Sequence, residues 1–232
     1  MALTIIVSYD GTENDTDALA LGQLLAKAGG SLALAYVRHA AESDPARETQ
    51  AQAESMELLE AGARWLGEPD VPRFVVISGS TPEGLRDLAQ SENADLIVFG
   101  SEYRTARGSV QPGTSALRLL EGGPIAIAIA PAGLSNQADL TIATVAAVTE
   151  EGDPSTLETA ESLAAALGAK LVPRPAGETG AAVIGSRPGT AAGRVTLSSA
   201  AHYLIEMVRC PVLVLPHGVA LRFGRPGASI NT

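Results

Sequence analysis

Two stretches of the sequence share one layout. The apolar run LIVFGS leads to Gly100, and AAVIGS leads to Gly185. A second apolar run closes each stretch at Pro131 and Pro216, which lie 31 positions after the glycine in both cases. A layout that recurs with the same spacing predicts an internal duplication.

The openings of the two halves are also alike, but they stand at different distances from these glycines. LTIIVSY begins at Leu3, 97 positions before Gly100, whereas LTIATVAAV begins at Leu140, only 45 positions before Gly185. The 52 missing positions correspond to one helix–strand–helix unit, residues 40–93. We therefore expect that the second copy has lost its middle.

These distances divide the chain into four parts. The sequence predicts a complete α/β domain over residues 1–131 and a truncated second repeat over 140–216, joined by a linker over 132–139. The final stretch, residues 217–232, has no apolar periodicity, and we expect it to be a mobile tail.

Strands and helices alternate along the first part. Stripes with the i, i+3, i+4 spacing of a helix, as at Leu21, Leu24 and Leu25, lie between short apolar runs. A polar stretch, residues 40–50, leads into the second helix. This alternation predicts an α/β fold with a doubly wound, parallel five-stranded sheet and right-handed crossovers, followed by a smaller truncated α/β repeat. The predicted strands are residues 3–9, 31–37, 74–78, 95–101 and 125–130.

Charge and composition exclude several classes of function. The chain has 26 Asp and Glu against 16 Lys and Arg, a net charge of −10, which argues against nucleic acid or an anionic membrane as a partner. Its longest apolar run, residues 124–134, is shorter than the roughly 20 residues of a membrane span. The single cysteine, Cys210, excludes a disulfide framework. The first residues show no signal peptide, so we expect a cytoplasmic protein.

The loop after the fourth predicted strand contains regularly spaced glycines. Gly100 begins the loop, Gly113 ends it, and Thr114 follows. This pattern resembles the loop of the universal stress protein family, which reads Gly, two residues, Gly, nine residues, Gly, then Ser or Thr. The opening strand with Asp10 and the Pro-bounded last strand resemble that family as well. The resemblance covers about residues 3–216, as a tandem pair with a truncated second member.

The resemblance implies an adenine-nucleotide pocket, which in some members of the family takes ATP, in the first domain. Asp10 would contact the base or the ribose, and the backbone near Val37 would recognise the adenine. The glycine-containing loop and the start of the next helix would hold the phosphates. The candidate nucleotide-binding residues are Asp10, Val37, Gly100, Ser101, Arg104, Gly113, Thr114 and Ser115.

Three residues depart from the family pattern. Tyr103 stands at the second glycine position, where a side chain hinders close approach of the backbone to a ligand. Glu102 puts a negative charge beside the phosphate path, and Pro188 removes a backbone donor at the corresponding place in the second repeat. We therefore expect a degenerate pocket. Tyr103 is either a plug or an exposed loop aromatic, and Asp10 either contacts the nucleotide or caps the turn before the first helix.

The sequence contains no P-loop, no nucleophile–base pair and no set of metal ligands, so we expect a protein that is not an enzyme. The first hypothesis is a stress-response or regulatory module with a degenerate ATP pocket. The second is a purely architectural role, in which the last strands of the repeats pair within one chain as a pseudo-dimer, or between chains as a homodimer, for docking an unknown protein partner. The third is a slow ATP hydrolase or nucleotide transferase that uses Glu102 as a base.

Overall fold

The computed structural model describes residues 2–137, 140–149, 153–175, 177 and 179–224. The first half contains β1 (Leu3–Ser8), α1 (Asp15–Lys27), β2 (Gly30–Arg38), α2 (Pro45–Leu66), β3 (Arg73–Ile77), α3 (Thr81–Ser91), β4 (Leu96–Phe99), α4 (Thr114–Leu120) and β5 (Ala126–Ile129). The second half contains a short 3-10 turn (Leu134–Asn136), β6 (Thr144–Val148), α5 (Ser155–Leu167), β7 (Lys170–Val172), β8 (Gly180–Ile184), α6 (Ser199–Met207) and β9 (Val212–Val214).

The nine strands of the described part of the chain belong to one sheet, in the order β3-β2-β1-β4-β5-β9-β8-β6-β7. The strands of the first half are parallel to one another, and so are those of the second half. The predicted doubly wound α/β fold is thus confirmed. The halves meet at β5 and β9, which pair antiparallel, with Ala128 opposite Leu213.

The second half repeats the strand order of the first with one strand fewer. β6, β7, β8 and β9 take the positions of β1, β2, β4 and β5, and among the described residues no strand takes the position of β3. The connection from β7 to β8, residues 173–179, stands where the first half has α2, β3 and α3. Among the described residues of the second half, no helix therefore takes the position of α3.

The pairing corrects the alignment of the two openings. Ile5 pairs with Leu96 in the first half, and Val145 pairs with Ala181 in the second. Because β4 and β8 are counterparts, Ile5 matches Val145, and the expected match of Leu3 with Leu140 is wrong by three residues. A strand buried on both faces has no alternating pattern that could fix its phase. In the corrected register the position of Asp10 is taken by residue 150, which lies outside the described residues.

Two apolar clusters cover the faces of the sheet. α1, α2 and α5 pack on one face, where Leu19, Leu59 and Leu163 are buried. α3, α4 and α6 pack on the other, where Leu85 and Leu120 are buried. The second helix, α2, begins at Pro45, inside the polar stretch of residues 40–50, because Asp44 caps it by accepting from the two backbone N–H groups of residues 46 and 47. No helix in the described part of the chain has the length and apolar character of a bilayer span.

The predicted linker is held against α1. The buried carboxylate of Asp17 accepts hydrogen bonds from the backbone N–H of Gly133 and from both the backbone N–H and the hydroxyl of Ser135. Leu134 is buried between these residues. The segment 132–137 is therefore part of the packed structure, and residues 138 and 139 lie outside the described residues.

The predicted mobile tail is packed over its first eight residues. Leu221 and Phe223 are buried in the same cluster as α1 and α5. The N–H of Leu221 donates to the Thr159 hydroxyl, and the N–H of Gly224 donates to the carbonyl of Ala28. Residues 217–224 thus connect a helix of each half, and the prediction of a mobile tail is wrong for them. Residues 225–232 lie outside the described residues.

Candidate functional site

The carboxyl ends of β1 and β4 are neighbours at the point where the strand order reverses, which is where open α/β sheets bind ligands. The loops that follow these strands touch each other there. The side-chain amide of Asn14 donates to the carbonyls of Ser101, at 3.2 Å, and of Glu102, at 2.8 Å. A Cβ atom at Gly100 would lie 2.3 Å from the carbonyl oxygen of Asn14. Gly100 is thus required by the contact between the loops.

The second half has the same close contact. A Cβ atom at Gly185 would lie 2.3 Å from the hydroxyl oxygen of Thr156, which belongs to the start of α5. The glycine after the fourth strand therefore has a packing role in both halves. A Gly at position 100 does not by itself indicate a bound phosphate.

Ser101 also has a role inside its loop. Its hydroxyl donates to the carbonyl of Ala130 at 2.7 Å and accepts from the N–H of Gln111 at 3.2 Å. Ser186, at the same place in the second half, donates in the same way to the carbonyl of Leu215 at 2.8 Å. These bonds join the base of each loop to the strand beside it, so the side chain of Ser101 is used by the fold.

The loop after β1 contains two interacting carboxylates. Asp15 accepts from the backbone N–H groups of Asp10, at 2.5 Å, and Gly11, at 2.9 Å. Asp10 is exposed and accepts from the N–H of Thr12, which makes a local turn. Burial, together with the charge of Asp10, raises the pKa of Asp15 to about 7. Asp10 thus shapes the turn, and its surroundings are acidic.

Tyr103 does not fill a pocket. Its side chain is 56% exposed, and the guanidinium of Arg104 lies 4.9 Å from the centre of its ring, a cation–π contact. The carboxylate of Glu102 accepts from the backbone N–H of Arg104 at 2.9 Å. Of the two interpretations of Tyr103, the exposed loop aromatic is the one the structure supports.

The far end of the loop is more open. Apart from the residues next to Gly113 in the chain, no atom of the described residues lies within 4 Å of a Cβ atom built on Gly113, and α4 begins there without a side-chain cap. In the second half the corresponding Ser198 caps α6 by accepting from the N–H of Ala201 at 3.1 Å. Thr114 is exposed and Ser115 is half-buried. The space that a ligand could use in the first half is at this end of the loop.

A cavity of about 700 Å³ lies between α3 and α4 and includes the side chains of Thr114 and Ser115. Its charged lining is mixed, since three arginines (Arg86 from α3, Arg118 from α4 and Arg194 from the second half) stand beside Glu83 and Glu121. Sequence reasoning missed this group of cations because they are far apart in the chain. The spacing of these arginines along the sequence does not indicate that they lie close together in the fold.

The other candidates lie apart from this cavity. The side chain of Val37 is buried under α3, where a Cβ atom on Gly84 would lie 3.0 Å from it. Asp10 and Gly100 do not line the cavity. Pro188 is exposed in the loop of the second half. Within the described ranges, no group of three or more His, Cys, Asp or Glu side chains is arranged to bind a metal ion.

The model of the universal stress protein family matches residues 1–131. A universal stress protein from Archaeoglobus fulgidus has a similar structure, with a TM-score of 0.68 and 14% identity over 92% of this chain and 98% of that one. A protein of unknown function from Pseudomonas aeruginosa is similar over 94% of this chain and 93% of its own, with a TM-score of 0.58 and 14% identity. At these identities the structures show a common fold. A comparison with curated proteins gives no match. Because the family model covers more than half of the residues, the chain belongs to the universal stress protein family.

Proposed function

We propose that this protein is a non-catalytic stress-response or regulatory module and that the adenine-nucleotide site of its first half is degenerate. The observation that carries the proposal is the set of carboxylates on both sides of the contact between the loops. Asp10 and Asp15 belong to the loop after β1, and Glu102 belongs to the loop after β4. Asn14 joins the two loops between them. Polyphosphate would be repelled at this end of the site.

The end of the loop at Gly113 supports weak nucleotide binding over a complete loss of binding. Gly113 leaves open space, and α4 begins without a side-chain cap. The cavity beside Thr114 is lined by three arginines, including Arg118 and Arg194, against two glutamates, so its lining has a small excess of positive charge. An anion held here would have few contacts with the acidic end. We therefore expect ATP to bind with a dissociation constant of about 1 mM or weaker.

Calorimetric titration with ATP at neutral pH tests this function. Asp15→Asn combined with Glu102→Gln removes the full charge of Glu102 and the partial charge of Asp15, whose pKa of about 7 leaves it about half ionised at neutral pH. A charge about 10 Å from a phosphate contributes on the order of 1 kcal/mol at an effective dielectric between protein surface and water, so we expect the double variant to bind roughly tenfold more tightly. Glu57→Gln, a change of the same kind on the exposed side of α2, is the control. A double variant that binds no better than this control would refute the electrostatic explanation.

The absence of catalysis is tested by phosphate release. Glu102 is the carboxylate that the hydrolase hypothesis needs, and it already accepts a hydrogen bond from the N–H of Arg104. We expect the native protein and Glu102→Gln to release phosphate from ATP at the same background rate. A rate that falls in the variant would support a slow hydrolase instead.

A purely architectural role is a second candidate, which the pairing of β5 with β9 favours. In this arrangement the last strand of each half is covered inside one chain, so neither is left as an open edge. We therefore propose that the chain is a monomer with the internal symmetry of a dimer. Light scattering is expected to give the mass of one chain, and a stable mass of two chains would contradict this proposal.

A further inference from the structure

The exposed face of α6 corresponds to the face of α4 that α3 covers in the first half. α4 and α6 occupy the same place in the two halves, each between the loop after the fourth strand and the last strand. Counting from the residue before each helix, Tyr203 stands at the position of Arg118 and Leu204 at the position of Leu119, whereas Met207 has no counterpart because α4 ends at Leu120. Arg118 and Leu119 line the cavity between α4 and α3. Tyr203 and Leu204 therefore lie on the side of α6 where a counterpart of α3 would pack, and Met207 follows Tyr203 one helical turn later.

This side of α6 is apolar and open. Tyr203 is 64% exposed and Met207 is 59% exposed, and they are one helical turn apart. A cavity of about 680 Å³ lies beside them on the face of the sheet. Its apolar lining includes Ala147, Val148, Leu204, Met207, Val208 and Cys210.

The loss of α3 does not by itself account for this surface. A helix side that becomes exposed to water is expected to have polar residues, because an exposed apolar patch favours association. Here the change runs the other way, since Arg118 of α4 corresponds to the apolar Tyr203 of α6. Such a patch is typical of a surface that another protein covers.

The shape and the charge of the surface indicate what covers it. In the first half the same space holds α3, whose Leu85, Leu88 and Ala89 are buried. The cavity beside α6 is flanked by Arg174 and Arg209, and none of the described residues that line it is acidic. A helix with a Leu and Ala stripe and carboxylates along its flank would complement both features.

We propose that the surface formed by Tyr203, Leu204, Met207 and the adjoining cavity binds an amphipathic, acidic helix of a partner protein in the place that α3 occupies in the first half. The partner helix supplies in trans the cover that the shortened second half lacks. This assignment is independent of nucleotide binding, because the surface lies in the other half of the chain from Gly113.

A peptide with the sequence of α3 is a direct probe of this surface. Residues 80–93, STPEGLRDLAQSEN, contain the apolar stripe together with acidic side chains. A helix-stabilised, fluorophore-labelled form of this peptide is titrated with the full-length protein, and binding is followed by fluorescence anisotropy. We expect saturable binding in the range of about 10–100 μM, which a scrambled peptide does not reproduce.

Introduction of a negative charge on α6 identifies the binding surface. Met207→Glu and, separately, Tyr203→Glu are expected to weaken binding of the peptide at least about tenfold, because each puts a carboxylate into the apolar surface opposite an acidic helix. Leu117→Glu is the control, since Leu117 is a partly exposed apolar residue on α4. Circular dichroism establishes that each variant is folded.

Three outcomes would overturn the proposal. The first is no saturable binding of the helical peptide. The second is binding that both α6 variants leave unchanged. The third is self-association of the native protein that Met207→Glu abolishes, which would assign the surface to a second copy of this chain.

Discussion

Removal of the Asp17 carboxylate is expected to cost a large part of the stability of the chain. Asp17 is 2% exposed and accepts three hydrogen bonds from the segment after β5: from Gly133 N–H at 2.7 Å, from Ser135 N–H at 2.7 Å and from the Ser135 hydroxyl at 2.6 Å. Asp17→Ala leaves these donors without their acceptor. A hydrogen bond to a charged group contributes about 1.5–3 kcal/mol, and bonds that share one acceptor are not additive. We expect a loss of about 3–5 kcal/mol.

Urea unfolding followed by circular dichroism measures this loss, with linear extrapolation to water. Ser135→Ala, which removes one of the three bonds and keeps the carboxylate, is expected to cost only about 1 kcal/mol. Asp87→Ala, on the exposed side of α3, is a control for loss of a carboxylate and is expected to cost less than about 0.5 kcal/mol. If Asp17→Ala costs no more than Asp87→Ala, the segment 132–137 is not held by this carboxylate and the reasoning is refuted.

Three further predictions concern pH, the loop and the C-terminal segment. Burial and the charge of Asp10 raise the pKa of Asp15 from 3.8 to about 7. The contribution of Asp15 to stability is therefore complete below pH 3.8 and is lost as the pH rises through about 7. Asp15→Asn should remove this decline in the midpoints of urea unfolding, and an unchanged pH profile would contradict the assignment. Tyr103→Gly is expected to leave the calorimetric affinity for ATP unchanged, because the ring is exposed, and a clear gain would restore the interpretation of Tyr103 as a plug. Phe223→Ala should cost about 3 kcal/mol in urea unfolding because its ring is buried, whereas the exposed Arg222→Ala should cost little; equal, small losses would show that residues 217–224 do not pack as described.

Much of the fold follows from local pattern. The strand predicted over residues 95–101 contains β4, and the strand predicted over 125–130 contains β5. These elements have clear signals, since a glycine or a proline bounds an apolar stripe or run. The position of β6 could not be predicted, because its apolar run is continuous and several registers bury it equally well.

Other features depend on contacts between distant residues. The bonds of Asp17 to Ser135, and of Asn14 to Glu102, join residues that are far apart in sequence. No sequence pattern predicts either contact. The same holds for the cavity that Arg194 reaches from the second half. From the sequence, the arginines that line this cavity are expected to lie separately in solvent, although the fold places them around one cavity.

Gly100 illustrates why a motif alone is ambiguous. Its position matches the glycine pattern of the phosphate-binding loop in the family. A side chain at Gly100 would nevertheless collide with the carbonyl of Asn14, and a side chain at Gly185 would collide with Thr156 in the second half. A glycine can thus be retained for packing after a ligand site has weakened. Gly113 differs, because no described residue other than its chain neighbours lies within 4 Å of a Cβ atom built on it.

The most direct test of a degenerate nucleotide site is a titration of the native protein with ATP, followed by the amide chemical shifts of Asp10 and residues 100–113. With ATP up to about 1 mM we expect the shifts around Asp10 and Gly100 to stay constant, and any small, unsaturated change to be confined to the residues next to Gly113. Saturable shifts at both ends of the loop with a dissociation constant in the micromolar range would contradict the claim that the carboxylates there have weakened the site.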